Sequence, residues 1–255
     1  MSGTLSLDGK VAIVTGSSRG IGEAVARAYA AAGASVVVVS RSLENAQPVA
    51  DSIKAGGGAA LAVACHTGRH EQVRALVEQV VAHFGAVDIV VNNAATNPHF
   101  GPLLDATDEM WQKTLQTNFL GYLWLAQAAA PLMLKRGSGK IINVASIAGR
   151  QPARMMGVYS VTKAAILMLT EALAQELGPR GVQVNAIAPG VIQTKFSTLL
   201  WSNEALAAEV RGRAGRIGRA EDVAGAALFL ASSASDYVNG ATLVVDGGLS
   251  LGGVL

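Results

Sequence analysis

Tyr159-Ser160-Val161-Thr162-Lys163 carries the densest chemistry in the 255-residue chain. On a helix, Tyr159 and Lys163 stand four residues apart and share a face. A phenol of pKa ~10 is a weak proton donor or acceptor at neutral pH. An ammonium ~5 Å away favours the phenolate by about 3 kcal/mol at an effective dielectric of ~20, or roughly two pK units. The spacing therefore predicts an acid–base tyrosine tuned by a lysine. Ser146 precedes Tyr159 by 13 residues and follows an apolar run. Its hydroxyl could hold a carbonyl oxygen while Tyr159 protonates it. Tyr-x-x-x-Lys is common on helix surfaces and serine readily caps turns, so the reading depends on what else the chain carries.

A second chemically loaded stretch lies near the start. The apolar run Val11–Thr15 leads into Gly16-Ser17-Ser18-Arg19-Gly20-Ile21-Gly22, after which a helical pattern begins. Glycines in a strand-to-helix turn let backbone amides close on a pyrophosphate at the helix N-terminus. Gly16, Ser18, Arg19, Gly20, Ile21 and Gly22 are thus candidate dinucleotide-binding residues. A ligand-free glycine turn has the same composition, but the position between strand and helix favours the dinucleotide. NAD sites commonly place Asp or Glu about 20 residues further on, to hold the ribose hydroxyls. Here Ser40 and Arg41 stand in that place. A carboxylate would repel a 2′-phosphate, whereas a guanidinium pairs with it. With Arg19 in the loop, these residues predict NADP(H) rather than NAD(H).

Such chemistry needs a frame that brings residues 16–22, 40–41, 146 and 159–163 together. Short apolar runs at Val11–Thr15, Val36–Ser40, Ala60–Ala64, Ile89–Asn92, Lys140–Ala145, Gln183–Ala188 and Thr242–Val245 predict about seven strands. Runs that are continuous rather than alternating suit a parallel sheet covered on both faces. Helical patterns over Glu23–Ala32, Glu71–Phe84, Glu109–Lys135, Ser160–Leu177 and Asp222–Ser232 separate them. The alternation predicts an α/β fold, a doubly wound Rossmann-type sheet in one domain over 1–255, with the chemistry beyond the carboxyl ends of the strands.

Composition agrees. A chain 51% hydrophobic and 15% charged is not disordered. Twenty Lys and Arg against eighteen Asp and Glu leave +2, too balanced to indicate a nucleic-acid or membrane partner. The longest apolar stretch, Phe119–Leu134, is interrupted by Gln127 and Pro131 and falls short of the ~20 residues of a membrane span. A single cysteine, Cys65, excludes an intrachain disulfide and fits a reducing compartment. No His, Cys and carboxylate cluster has metal spacing. The opening MSGTLSLDGK has no apolar signal region. Together these features predict a cytoplasmic enzyme.

Thr15–Gly22, Asn92-Asn93-Ala94, Asn118, Ser146, Tyr159/Lys163 and Pro189-Gly190, in that order over nearly the whole chain, resemble the pattern of the single-domain short-chain dehydrogenase/reductase family. The resemblance implies that Tyr159 is the general acid–base. Lys163 would bind the nicotinamide ribose hydroxyls and modulate Tyr159, and Ser146 would orient the carbonyl. Asn118 would hold a water linking Lys163 to solvent. Cofactor contacts are implied for Asn92, beside the adenosine, and for Ala94. Pro189, Gly190, Ile192 and Thr194 would meet the nicotinamide carboxamide. The chain departs from the family at Ala95, often Gly, and at His66, often an Asp facing the adenine. Asn92–Pro98, Cys65-His66 and Leu199-Leu200-Trp201 are most similar to NADPH-dependent carbonyl reductases of the dicarbonyl- and retinal-reducing group. Animal members of that group carry a peroxisomal tail, which Gly253-Val254-Leu255 does not match.

Ile147, Met155, Met156, Val191, Phe196, Leu199, Leu200 and Trp201 are predicted to wall a hydrophobic substrate. The segment near 191–215 is predicted to form a lid over it. The resemblance further implies a homotetramer, with contacts through Glu109–Lys135 and Ser160–Leu177 and through the final strand with Asp222–Ser232. The basic run Arg211, Arg213, Arg216 and Arg219 has no interleaved aromatics, so it reads as a solvated or subunit-contact face. The expected activity is NADP(H)-dependent reduction of a hydrophobic ketone, aldehyde or dicarbonyl. A 3-oxoacyl-carrier-protein reductase and an alcohol dehydrogenase running oxidatively share the catalytic set. A catalytically idle NADP-binding regulator is the non-enzymatic alternative.

Overall fold

The computed structural model describes residues 4–251, so the tail Gly253–Leu255 lies outside the described residues. Seven strands form one sheet: β1 (Val11–Thr15), β2 (Ser35–Ser40), β3 (Ala59–Ala64), β4 (Ile89–Asn92), β5 (Gly139–Val144), β6 (Val182–Pro189) and β7 (Thr242–Val245). Their order is β3-β2-β1-β4-β5-β6-β7, and every pairing is parallel. The reversal of strand order between β1 and β4 opens a crevice beyond the carboxyl ends of the strands, the usual ligand site of such sheets. The apolar runs marked each strand to within one residue at either end.

Successive residues of a strand face opposite sides, and both sides here are covered. Ala12, Val14, Val36 and Val38 pack under α1 (Gly20–Ala31), α2 (Leu43–Ala55) and α9 (Ala220–Ala231). Val11, Ile13, Val37 and Val39 pack under α3 (His70–Phe84) and α5 (Gly121–Arg136) on the other side. Helix α6 (Gly157–Leu177) completes that second layer against β6. With the turn to Arg180 it is long and apolar enough by composition to cross a membrane. It lies on the sheet instead, with Thr162, Lys163 and Thr170 buried on its inner face.

Two helical expectations need correction. Leu43–Ala55 is a helix that the sequence reading left out, although Ala46, Val49, Ala50 and Ile53 recur at helical spacing and are all buried. Pro48 lies inside it and obscures the pattern. The predicted single helix 109–135 is divided. It comprises α4 (Asp108–Leu115), a π-helical segment Gln116–Leu120 and α5. Such wide turns recur at functional sites, and this one contains Asn118.

Candidate active site

The glycine turn after β1 is shaped by close approach. Gly16 has φ +65°, and a Cβ there would sit 2.9 Å from the Ala94 Cα. A Cβ at Gly22 would drive into the Gly16 carbonyl oxygen. The turn is braced by side chains the glycine fingerprint does not contain. Ser17 Oγ donates to Val14 O at 2.6 Å and accepts from Val39 N at 2.9 Å, tying the turn to β2. Thr15 Oγ1 accepts from Asn93 N at 2.9 Å and Ala94 N at 3.1 Å. Asn93 Nδ2 donates to Thr15 O at 2.8 Å. This leaves Ser18 half-buried, Arg19 exposed at the N-terminus of α1, and Gly20, Ile21 and Gly22 in its first turn. Ser40 ends β2 half-buried and Arg41 follows it, exposed.

Asn92 does not face this crevice. It is 1% exposed, and its Nδ2 donates to Asn143 Oδ1 at 2.9 Å and to Tyr122 O at 3.3 Å. Asn143 in turn donates to Thr170 Oγ1 at 2.9 Å. The Asn92 side chain is thus part of an internal polar latch joining β4, β5 and α6. Ala94, by contrast, is half-buried against the glycine turn.

The catalytic candidates converge. Tyr159 and Lys163 share the inner face of α6's first turns, 8% and 1% exposed. Ser146 follows β5 and caps a short turn by accepting from Ala148 N at 3.1 Å, with its hydroxyl near enough to Tyr159 to act on the phenol. Lys163 Nζ donates to Val144 O at 2.6 Å and to Tyr122 Oη at 3.3 Å, and lies 5.5 Å from the centre of the Tyr159 ring. Asn118 accepts from Thr96 N at 2.8 Å and donates to Thr96 O at 2.9 Å and Thr162 Oγ1 at 3.2 Å. Thr162 Oγ1 donates to Tyr159 O at 2.8 Å. Tyr122 and Thr162 were missed in the sequence. Thr162 lies inside the pentapeptide, and Tyr122 is one helical turn beyond Asn118, so helical spacing was the available signal.

Electrostatics differ from the expectation of an acidified phenol. Burial pushes the Tyr159 pKa up to about 12, and the nearby Ser146 hydroxyl offsets it only in part. Burial likewise pulls the Lys163 amine down to about 7. An ammonium in water-like surroundings would favour the phenolate, but here desolvation disfavours the charged form of both groups and prevails. Tyr159 is therefore a neutral phenol at pH 7.

The opposite wall is apolar. Ala148, Met156 and Tyr159 form one cluster with Ala153 and Leu200 packed on it. The Phe196 ring lies 5.8 Å from the Tyr159 ring. Met155 has φ +62°, a left-handed backbone that non-glycine residues rarely adopt, and Gly101 N donates to its carbonyl at 2.9 Å. After β6, Gly190 N donates to Val245 O at 3.0 Å. Ile192 is 4% exposed and bridges Gly218, while Trp201 Nε1 donates to Thr194 O at 2.9 Å. Two short helices follow, α7 (Thr198–Trp201) and α8 (Glu204–Ala214). In the basic run, Arg211 pairs with Glu204, Arg213 with Glu209 at 3.2 Å and Arg216 with Asp222 at 2.6 Å.

A doubly wound sheet with a glycine turn at its switch point and a Ser-Tyr-Lys cluster defines a dinucleotide-dependent oxidoreductase. A family model described as enoyl-(acyl carrier protein) reductase matches residues 16–250. Dehydrogenase/reductase SDR family member 4 of Sus scrofa is 43% identical over 244 residues, covering 95% of this chain and 88% of the relative. A gluconate 5-dehydrogenase from Burkholderia cenocepacia J2315, solved with NADP and tartrate, superposes with a TM-score of 0.95 at 38% identity, covering 99% of each chain. A 7α-hydroxysteroid dehydrogenase solved with NADH and a 7-oxo bile acid superposes at 0.92 with 36% identity, covering 97% of each. The chain belongs to the short-chain dehydrogenase/reductase family and is an oxidoreductase of that family.

Proposed function

We propose that the protein reduces a hydrophobic ketone, aldehyde or dicarbonyl to an alcohol with NADP(H). The observation that carries this reading is the Tyr159 phenol beside Ser146, with Lys163 Nζ 5.5 Å from its ring, set in an apolar wall of Ala148, Met156 and Leu200. A protonated phenol can give a proton to a carbonyl oxygen held beside it by Ser146. The left-handed Gly16 turn, into which no Cβ fits, suits a pyrophosphate approached by backbone amides. Gly16, Ser18, Arg19, Gly20, Ile21 and Gly22 would hold that group, and Ser40 and Arg41 the adenosine 2′-phosphate. Ala94, Pro189, Gly190, Ile192 and Thr194 would flank the rest of the cofactor. When bound, the nicotinamide supplies or accepts the hydride. Lys163 would hold the ribose hydroxyls and pass a proton toward Tyr159. Both polar groups of the Asn118 side chain are already engaged. A water connecting Lys163 to solvent would therefore sit on the Asn118 backbone carbonyl, in the π-helical turn.

NADP in the Burkholderia relative supports the cofactor, and Arg41, where a carboxylate would favour NAD, supports it independently. The three ion pairs of the basic run neutralise the patch that an acyl-carrier substrate would need. Residues 191–215 act as a lid, with Phe196 and Leu199 exposed over the cleft. Exposed Val161 and Met168 on α6 and Leu243 on β7 support a homotetramer joined through α4–α5 with α6, and through β7 with α9; a monomer by light scattering would overturn that assembly.

The gluconate 5-dehydrogenase likeness supports a second reading, a sugar-acid substrate. A panel of carbonyls and alcohols with NADPH and NADH, followed by nicotinamide absorbance, separates the two. Hydrophobic ketones and diketones should be reduced faster than small polar ones, with NADPH preferred. Turnover of sugar acids alone, or a strong NADH preference, would replace the reading.

A further inference from the structure

β2 and β3 run side by side with Ser40 opposite Ala64, and Cys65 N donates to Ser40 O at 2.7 Å. This register carries His66 to a place beside Arg41, just past the carboxyl ends of the two strands. The imidazole is half-buried and fixed. Gly68 N donates to its Nδ1 at 3.1 Å, so the neutral ring carries its proton on Nε2. The loop around it is also held: His66 N donates to Gln72 Oε1 at 2.7 Å, and Arg69 N donates to His66 O at 2.9 Å.

The charged side chains that act on this ring are Arg69 from the same loop, Arg41 beyond β2 and Lys113 from α4, all cations. Burial first, then Arg69, holds the His66 pKa below the ordinary histidine range. The ring is therefore a neutral N–H donor at pH 7. Among the described residues no ion pair engages Arg19, Arg41, Arg69 or Lys113. A free ribose 2′-hydroxyl is held by a hydrogen-bond acceptor such as a carboxylate. Here the charged side chains are all cations and no carboxylate is among them, which answers to an anion.

We propose that His66 is a specificity-determining residue for the cofactor, donating from Nε2 to the 2′-phosphate between Arg41 and Arg69. The assignment rests on the NADP(H) reading above, and the test separates the two. Affinities of 2′,5′-ADP and 5′-AMP for the intact protein are measured by calorimetry in the wild type and in His66→Ala, His66→Gln, His66→Asp and Arg69→Met.

His66→Ala should weaken 2′,5′-ADP by about tenfold or more, as loss of a hydrogen bond to a charged group does. His66→Gln, which keeps a donor, should recover part of that loss. His66→Asp should weaken it most, and Arg69→Met should act in the same direction. Binding of 5′-AMP should stay within about twofold throughout, which also shows that each variant is folded. Equal weakening of both ligands would reduce His66 to a shaping role in the adenosine pocket and overturn the proposal. No change in either ligand would overturn it too. A wild type that binds the two ligands alike would sink the NADP(H) reading itself.

Discussion

The two ends of the crevice solve opposite electrostatic problems. At the adenosine end Arg19, Arg41 and Arg69 stand exposed, outside any ion pair among the described residues, in water that screens but does not remove their charge. At the catalytic end Lys163 and Tyr159 are 1% and 8% exposed, and burial moves both toward their neutral forms. Guanidinium remains charged at every relevant pH, which suits recognition of a permanent anion. An amine near pH 7 can take or give a proton at little cost, which suits a relay. On the proposed reading, the carboxyl ends of the strands thus separate charge recognition from proton transfer by solvent exposure.

The largest effect tests the catalytic end. Tyr159→Phe keeps the ring and removes the proton, so kcat should fall by ~10²–10⁴ with cofactor affinity unchanged. A variant that turned over normally would show that Tyr159 is not the proton donor. The adenosine end comes next. Arg41→Ala should cost NADPH about 10–100-fold in kcat/KM, as loss of a charge-assisted contact does, and leave NADH nearly untouched. If both cofactors suffered alike, Arg41 would be a structural residue, and the division between the two ends would fail.

Much of this division was visible in the residue order, and some was hidden for physical reasons. The seven strands were legible because each lies between two helical layers and so reads as an unbroken apolar run. Tyr159, Lys163, Ser146 and the glycine turn were legible because their chemistry fixes residue type and spacing. The sign of the Tyr159 shift was not, since spacing gives the distance to Lys163 but not the desolvation that outweighs it. The direction of the Asn92 side chain was not legible, because a motif position says nothing of it, and its amide turns inward to Asn143. The π-helical turn at Asn118 depends on tertiary bonds to Thr96 and Thr162, which no local periodicity records. His66 stood out as a departure, yet its fixed tautomer needed Gly68 in place.

Burial of Lys163 makes a pH-dependent claim about stability. Its amine falls from 10.5 in the unfolded chain to about 7 in the native one. Between those values the unfolded state binds more protons, so stability should rise with pH, no more steeply than about 1.4 kcal/mol per unit. Cys65 and Tyr159, raised by burial to about 11 and about 12, act oppositely once their unfolded forms ionise. The clean window is therefore pH 7 to 8.5. Urea midpoints should climb across it in the wild type and climb less in Lys163→Met. Equal slopes would mean that Lys163 is solvated in the native state, and the contrast with the exposed arginines would lose its basis.

The smallest effect probes how rigidly the catalytic end is held. Thr162 Oγ1 links the Asn118 amide to the Tyr159 carbonyl, so it ties the π-helical turn to the first turns of α6. Thr162→Val keeps the shape and removes both bonds. Asn118 retains its partner at Thr96, so only one donor contact is lost there. The cost should be about 1 kcal/mol of unfolding free energy. Cofactor affinity at the far end should not move. Turnover should fall severalfold, because the backbone beneath Tyr159 loosens while the phenol itself is intact. If kcat is unchanged while stability drops, the latch serves folding alone and Tyr159 is positioned by Ser146 and packing. If the NADPH affinity falls with kcat, the two ends are mechanically coupled, and exposure is not the only thing that distinguishes them.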